Sequence, residues 1–212
     1  MKKLGIVEGF YGSLMSFSLR NSIIESLSNN NLNFYLYAPK EDPFIRKHID
    51  LDHSKEWEEQ FQKFCRNANE QNVQISAGLC PKTYDYSSLA NKINKFKSLG
   101  CNHFAILFDD TDDYDFTSQL AIFNRAVNEF QDSEIIFCPS IYTSELIDQN
   151  DDSKEYFENF KRDFPRDKTF IWTGNKVISE ELSNEVDNDL EDMGISNIAL
   201  WDNYFTIDSC PE

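Results

Sequence analysis

The sequence predicts an α/β fold, a (β/α) barrel of the TIM type in which seven βα strands are readable. Three observations lead there. Short runs that are nearly continuous in apolar residues alternate with longer amphipathic stretches from end to end. Successive runs lie roughly 28–40 residues apart, the size of a βαβ unit. No G-x-G-x-x-G or G-x-x-x-x-G-K-S/T sequence follows the first run. That removes the usual nucleotide-binding reasons to prefer a doubly wound open sheet, the other architecture this order accepts.

The expected strands are Lys3–Phe10, Asn33–Pro39, Val73–Leu79, His103–Phe108, Glu134–Pro139, Thr169–Thr173 and Asn197–Trp201. Weak helical signals at Ser22–Leu27 and Tyr156–Phe160 fill two of the intervals. Trp57, Phe61, Phe64 and Ala68 recur at helical spacing on a helix beginning near Ser54. Leu89, Ile93 and Phe96 form a second stripe, stopped by Gly100. Leu120, Phe123, Val127 and Phe130 make a third, and Val186, Leu190 and Met193 a fourth closed by Gly194. No linker or low-complexity segment interrupts the series, so residues 1–212 are expected to form one domain.

Composition narrows the function. Lys+Arg number 20 against 37 Asp+Glu, a net charge of -17, and such a surface repels phosphates and anionic membranes. Nucleic-acid and membrane partners are therefore not expected. No stretch approaches the ~20 apolar residues of a bilayer span. Cys65, Cys80, Cys101, Cys138 and Cys210 are odd in number and scattered, with no C-x-x-C pair, which reads as reduced thiols in a cytoplasmic protein. His48, His53 and His103 lack metal-ligand spacing and are expected at the surface or at helix ends.

In a barrel the C-terminal ends of the strands carry the chemistry. Here they bear Glu8-Gly9-Phe10-Tyr11, Lys40, Asp109-Asp110, Cys138 with Tyr142, Trp172-Thr173 and Trp201-Asp202-Asn203. Acids, a lysine, amides and aromatic rings suit a sugar, whose apolar face stacks on rings while its hydroxyls meet polar groups. Asp109 and Asp110 are the sharpest feature. Two adjacent carboxylates cannot both ionise easily, so one is expected to keep its proton and serve as an acid while the other stays charged. Neighbours on a strand point to opposite faces, so both can serve one site only where the backbone kinks. The acidic run continues through Asp112, Asp113 and Asp115, but Tyr114 and the absence of glycine break a calcium-loop pattern. No metal or cofactor is expected, and Asp148, Asp151 and Asp152 read as a solvated loop.

Six motifs, taken in order, resemble the family 84 glycoside hydrolases, which are β-N-acetylglucosaminidases including O-GlcNAcases. Glu8-Gly9-Phe10-Tyr11-Gly12 resembles that family's E-G-F-Y-G, and Tyr37-Ala38-Pro39-Lys40-Glu41-Asp42-Pro43 its Y-A-P-K-D-D-P. Phe108-Asp109-Asp110 is similar to its F-D-D, Cys138-Pro139-Ser140-Ile141-Tyr142 to its C-P-T-x-Y, Trp172-Thr173-Gly174 to its W-T-G, and Trp201-Asp202-Asn203-Tyr204 to its W-D-N-Y. The resemblance implies retaining hydrolysis of terminal β-linked N-acetylglucosamine (GlcNAc) assisted by the substrate's own acetamido group, on a GlcNAc-bearing glycoconjugate or protein. It implies Asp109 as the residue that polarises the acetamido group and Asp110 as general acid and base. By the same resemblance Tyr142 would bond the acetamido oxygen. Cys138, Thr173 and Trp201 would shape the acetyl pocket, Asn203 would support it, and Gly9, Lys40 and Asp208 would hold hydroxyls. Leu14-Met15 stand where the family usually has Pro-Trp. The family's barrel has eight strands and only seven are readable here. The expectation is therefore an incomplete or gapped barrel, with a second copy of the chain as one way to cover the gap. The alternative function is a GlcNAc-binding module without turnover.

Overall fold

Residues 2–81, 83–109, 111, 113–178 and 197–203 are described by the computed structural model. Strands and helices alternate: β1 (Gly5–Glu8), α1 (Phe17–Asn29), β2 (Phe34–Tyr37), α2 (Lys55–Glu70), β3 (Gln74–Leu79), α3 (Tyr86–Ser98) and β4 (His103–Leu107). There follow α4 (Phe116–Glu129), β5 (Glu134–Cys138), α5 (Asp151–Asp163), β6 (Phe170–Trp172) and β7 (Ile198–Leu200). The sheet order is β1-β2-β3-β4-β5-β6-β7. A doubly wound sheet reverses its order at a switch point; strictly sequential order is that of a barrel-type sheet, as expected. The expected helix around Val186–Met193 lies outside the described residues.

The strands are shorter than the apolar runs. β1, for instance, keeps only four of the eight residues Lys3–Phe10. Apolarity marks burial, whereas a ladder ends where the chain turns away from its neighbour's N–H and C=O groups. Proline at 39, with no N–H, and Gly174, at φ +102°, are two such turning points.

The chain forms two compact units. Of the described residues, those up to 105 with 131–134 make one, and those of 106–130 with those from 135 onward the other. In the first, β1 and β2 pair in register Gly5↔Phe34 to Glu8↔Tyr37, and β2 and β3 from Phe34↔Gln74 to Tyr37↔Ala77. An aromatic cluster covers this ladder: Trp57 stacks on Phe61 at 4.8 Å, Phe61 meets Phe96 edge-on at 5.0 Å, and Tyr35 and Tyr37 meet Phe64 and Phe61. In the second, Phe137↔Phe170 joins β5 to β6, and Phe170↔Ile198 to Trp172↔Leu200 joins β6 to β7. Phe123, Phe160, Phe164 and Phe170 pack round Phe137 and one another, with Phe160 and Phe164 stacked at 4.9 Å. Eight phenylalanines are thus spent where helix stripes meet strands.

Short polar residues start the helices. Ser54 accepts the Trp57 N–H at the head of α2, as the sequence suggested, and Ser16, Asp85, Asp115 and Asn150 cap α1, α3, α4 and α5. Asp115 therefore belongs to a cap; the hydroxyl and N–H of Ser118 hold its carboxyl below the usual carboxylate range. Asp151 and Asp152 form the first turn of α5, where acids face the positive helix end, rather than a loop. Gly100, at φ +94°, ends α3 as expected. The stripe of α4 is rotated from the predicted one: Phe116, Gln119, Ile122, Phe123 and Ala126 are buried, while Leu120 and Val127 are half-buried. Phe116 extends the inward face by a turn, and Gln119 is drawn in by hydrogen bonds that apolar periodicity does not register.

Cys65, Cys80, Cys101 and Cys138 are buried free thiols, and Cys210 lies outside the described residues. Burial pushes the Cys101 thiol up to about 12. Among the described residues no helix is long and apolar enough to cross a membrane.

Candidate active site at the strand ends

The Asp109 segment is built first by the sheet. The Phe108 N–H donates to the Cys138 carbonyl at 2.9 Å, so hydrogen bonding to the β5 chain continues one residue beyond β4. Beyond it, the Thr111 hydroxyl reaches back to the Phe108 carbonyl at 2.9 Å. Asp109 is only 4% exposed. Asp110 lies outside the described residues.

Bonded to this segment is a closed polar ring that the sequence did not reveal. The Ser140 N–H donates to the Tyr156 hydroxyl at 3.0 Å, and that hydroxyl donates to Gln119 Oε1 at 2.6 Å. Gln119 Nε2 donates to Ser140 Oγ at 2.8 Å and to the Asp113 carbonyl at 3.1 Å. Ser140 Oγ in turn reaches the Phe108 carbonyl at 3.0 Å. Ser140, Gln119 and Tyr156 are all buried, so each bond replaces water that is not there. The available signal was Gln119 itself, a polar residue three positions after Phe116 on the inward face.

The ends of β5, β6 and β7 are laced by backbone. The Thr173 N–H donates to the Tyr142 carbonyl at 2.9 Å, and the Trp201 N–H to the Trp172 carbonyl at 2.8 Å. Gly174, in its left-handed turn, offers its carbonyl to the Thr143 hydroxyl at 2.7 Å. Cys138 and Thr173 are buried; Tyr142, Trp201 and Asn203 are half-buried. The Thr173 hydroxyl bonds the Lys176 carbonyl at 3.0 Å, and the Asn203 side-chain NH2 the Val177 carbonyl at 3.0 Å, so both brace the loop after β6. Trp172 does not join the strand-end aromatics. It is fully buried, with its ring against Phe157 of α5 and Phe170, because alternation along β6 turns it to the helix layer.

In the first unit, Gly9 follows β1 and Lys40 follows β2. The Ala38 N–H bonds the Glu8 carbonyl at 3.0 Å and the Lys40 N–H the Phe10 carbonyl at 3.4 Å, which sets the two segments side by side. The Lys40 ammonium lies 5.9 Å from the Tyr11 ring centre. Glu8 is sealed beneath them, gripped by Arg20 at 2.7–3.2 Å and by the Tyr35 hydroxyl at 2.5 Å. Asp42 is buried too, accepting from Tyr37 at 2.5 Å, from the Phe44 N–H at 2.9 Å and bonded to His53 Nε2 at 2.8 Å. Burial raises the Asp42 carboxyl, but the His53 and Tyr37 bonds outweigh it and hold it below the usual range. His53 stands at a helix end, just before the Ser54 cap of α2, but it is interior, stacked on Trp57 at 3.5 Å, and not a surface histidine. Asp208 lies outside the described residues.

A sequence model of the β-N-acetylglucosaminidase family matches residues 4–212. The chain belongs to this family. Against the mouse (Mus musculus) Protein O-GlcNAcase it is 28% identical over 218 residues, covering 94% of this chain and 24% of that protein. The figures for the rat (Rattus norvegicus) Protein O-GlcNAcase are the same. The chain therefore spans about a quarter of the length of these curated relatives. Among solved structures it superposes on a mutant of the Thermobaculum terrenum O-GlcNAc hydrolase with a TM-score of 0.86 at 24% identity, covering 98% of this chain and 49% of that one. On the structure of CpGH84B the TM-score is 0.89 at 27% identity, with 98% and 40% covered. As a family member, the chain is a relative of glycoside hydrolases that carries the family's motifs at its strand ends.

Proposed function

We propose that this chain is a retaining exo-β-N-acetylglucosaminidase that removes terminal β-GlcNAc, including GlcNAc on protein Ser/Thr, through an oxazoline. The observation that carries the reading is Asp109, buried just after β4 and followed in sequence by Asp110, in a chain belonging to this family. The acetamido carbonyl oxygen attacks the anomeric carbon while the bond from that carbon to the aglycone oxygen breaks. Asp110 gives its proton to the departing oxygen. Asp109 accepts the acetamido N–H and stabilises the positive charge that develops on the ring being formed. Asp110, now a carboxylate, takes a proton from water as the water oxygen attacks the anomeric carbon and the oxazoline opens with retention.

The same reading gives Tyr142 the acetamido oxygen, Cys138, Thr173 and Trp201 the walls of the acetyl pocket, and Asn203 their support. Gly9, Lys40 and Asp208 take the sugar hydroxyls. Buried free thiols favour a reducing compartment, and we place the enzyme in the cytoplasm. The test is hydrolysis of an aryl β-N-acetylglucosaminide by this 212-residue chain. Asp110→Asn is expected to cut turnover on the order of 10²–10⁴-fold. Equal turnover by both proteins would remove Asp110 from its role. Saturable binding of a thiazoline mimic with no hydrolysis by either would replace the enzyme reading with a binding module.

A further inference from the structure

We propose that Ser140 is a positioning residue for proton transfer, acting through the backbone that carries Asp110. The proposal rests on the hydrolase reading above and names a device within it. The ring described above orders its amide and its tyrosine. Tyr156 donates to Gln119 Oε1, which fixes the side-chain amide so that Nε2 points at both Ser140 Oγ and the Asp113 carbonyl. Ser140 Oγ, receiving that N–H, has its own proton to give to either the Phe108 carbonyl, which also accepts the Thr111 hydroxyl, or the Asp113 carbonyl. Ser140 also lies 3.1 Å from Thr111 Oγ1 and 2.8 Å from the Asp113 carbonyl. One buried hydroxyl therefore meets the chain two residues before Asp110, one residue after it and three residues after it.

An acid that must meet a leaving oxygen needs its backbone fixed to a fraction of an ångström, since misplacement by about 1 Å can cost on the order of 10²-fold. The hydroxyl of Ser140 supplies this from below, without touching the sugar. Cys138 and Tyr142 lie two residues to either side of it, so one short segment both holds the chain on each side of Asp110 and presents the side chains assigned to the acetyl pocket. Threonine at this position keeps the hydroxyl, as in the C-P-T-x-Y form of the motif.

The test compares wild type, Ser140→Ala and Ser140→Thr on aryl β-N-acetylglucosaminides whose phenols range from strongly to weakly acidic. A displaced acid matters least when the leaving phenolate needs no proton. Ser140→Ala is expected to lower kcat on the order of 10- to 100-fold for weakly acidic phenols. It should spare the most acidic ones and leave KM within about twofold. Ser140→Thr is expected to restore the wild-type pattern. A loss uniform across the series, or confined to KM, would overturn the proposal. Should Ser140→Ala not fold, Tyr156→Phe removes one hydroxyl from the same ring and is expected to give the same selective loss in weaker form; an unselective loss there counts equally against it. If wild type hydrolyses nothing, the hydrolase reading falls on its own. Amide exchange of residues 108–115 then decides the anchoring, which fails if exchange is unchanged in Ser140→Ala.

Discussion

Glu8 shows how far a residue's meaning depends on its neighbours. It opens the E-G-F-Y-G motif, yet its carboxylate is fully engaged by Arg20 and Tyr35 and sealed from solvent. The Arg20 guanidinium, with its centre 4.9 Å from the ring centres of Phe17 and Tyr37, completes the enclosure. Burial opposes the charge on Arg20, but the bonds to Glu8 and the nearby tyrosines more than offset it and raise its pKa. Removing one partner of such a pair leaves a buried charge uncompensated, whereas neutralising both does not. Arg20→Met is expected to cost about 3–5 kcal/mol, read as a lowered urea midpoint. Arg20→Met combined with Glu8→Gln should cost less than Arg20→Met alone. If the double variant is the weaker protein, the pair does not behave as a buried ion pair.

At the scale of elements, each strand is placed by its termini as much as by its apolar residues. Glu134, the first residue of β5, meets Lys3 and His103, the first residue of β4, with His103 Nδ1 at 3.5 Å. His103's bond lowers the Glu134 carboxyl most; partial burial opposes it, Lys3 adds to it, and the result is about 2. The folded-state value lies below the unfolded one, about 4.3. The stabilisation is therefore present above that unfolded value and is lost as pH falls toward about 2. Glu134→Gln is expected to flatten the acid limb of a stability–pH curve between about pH 5 and pH 2, by less than about 1 kcal/mol because the side chain is 44% exposed and screened. An unchanged limb would mean the contact contributes nothing in solution. Helix starts were legible at this scale, as Ser54 shows, since a cap is a local bond. The facing of α4 was not, because Gln119 turns inward for partners 21 and 37 residues away.

For the whole molecule, the net charge of -17 acts as self-repulsion. Acids are partly absorbed as caps (Asp85, Asp115) and as partners of Arg20 and His53, but most of the described ones face water. Raising salt from about 0.01 M to about 0.15 M shortens the screening length from ~30 to ~8 Å. The melting temperature is therefore expected to rise over that range, measured by thermal unfolding; a fall would mean that specific ion pairs outweigh the global field. The sequence by itself determined the order of strands and helices, the strand ends where Asp109, Cys138, Tyr142, Thr173 and Trp201 stand, and the family. Periodicity, caps and contiguous motifs are all properties of neighbouring residues. Only the tertiary structure decided that Trp172 and His53 are interior, that Glu8 and Asp42 are held by Arg20 and His53, and that Ser140, Gln119 and Tyr156 close a ring bonded to the Phe108 and Asp113 carbonyls. Those outcomes depend on which distant groups must share a space that water cannot enter, where every buried donor and acceptor has to find a partner.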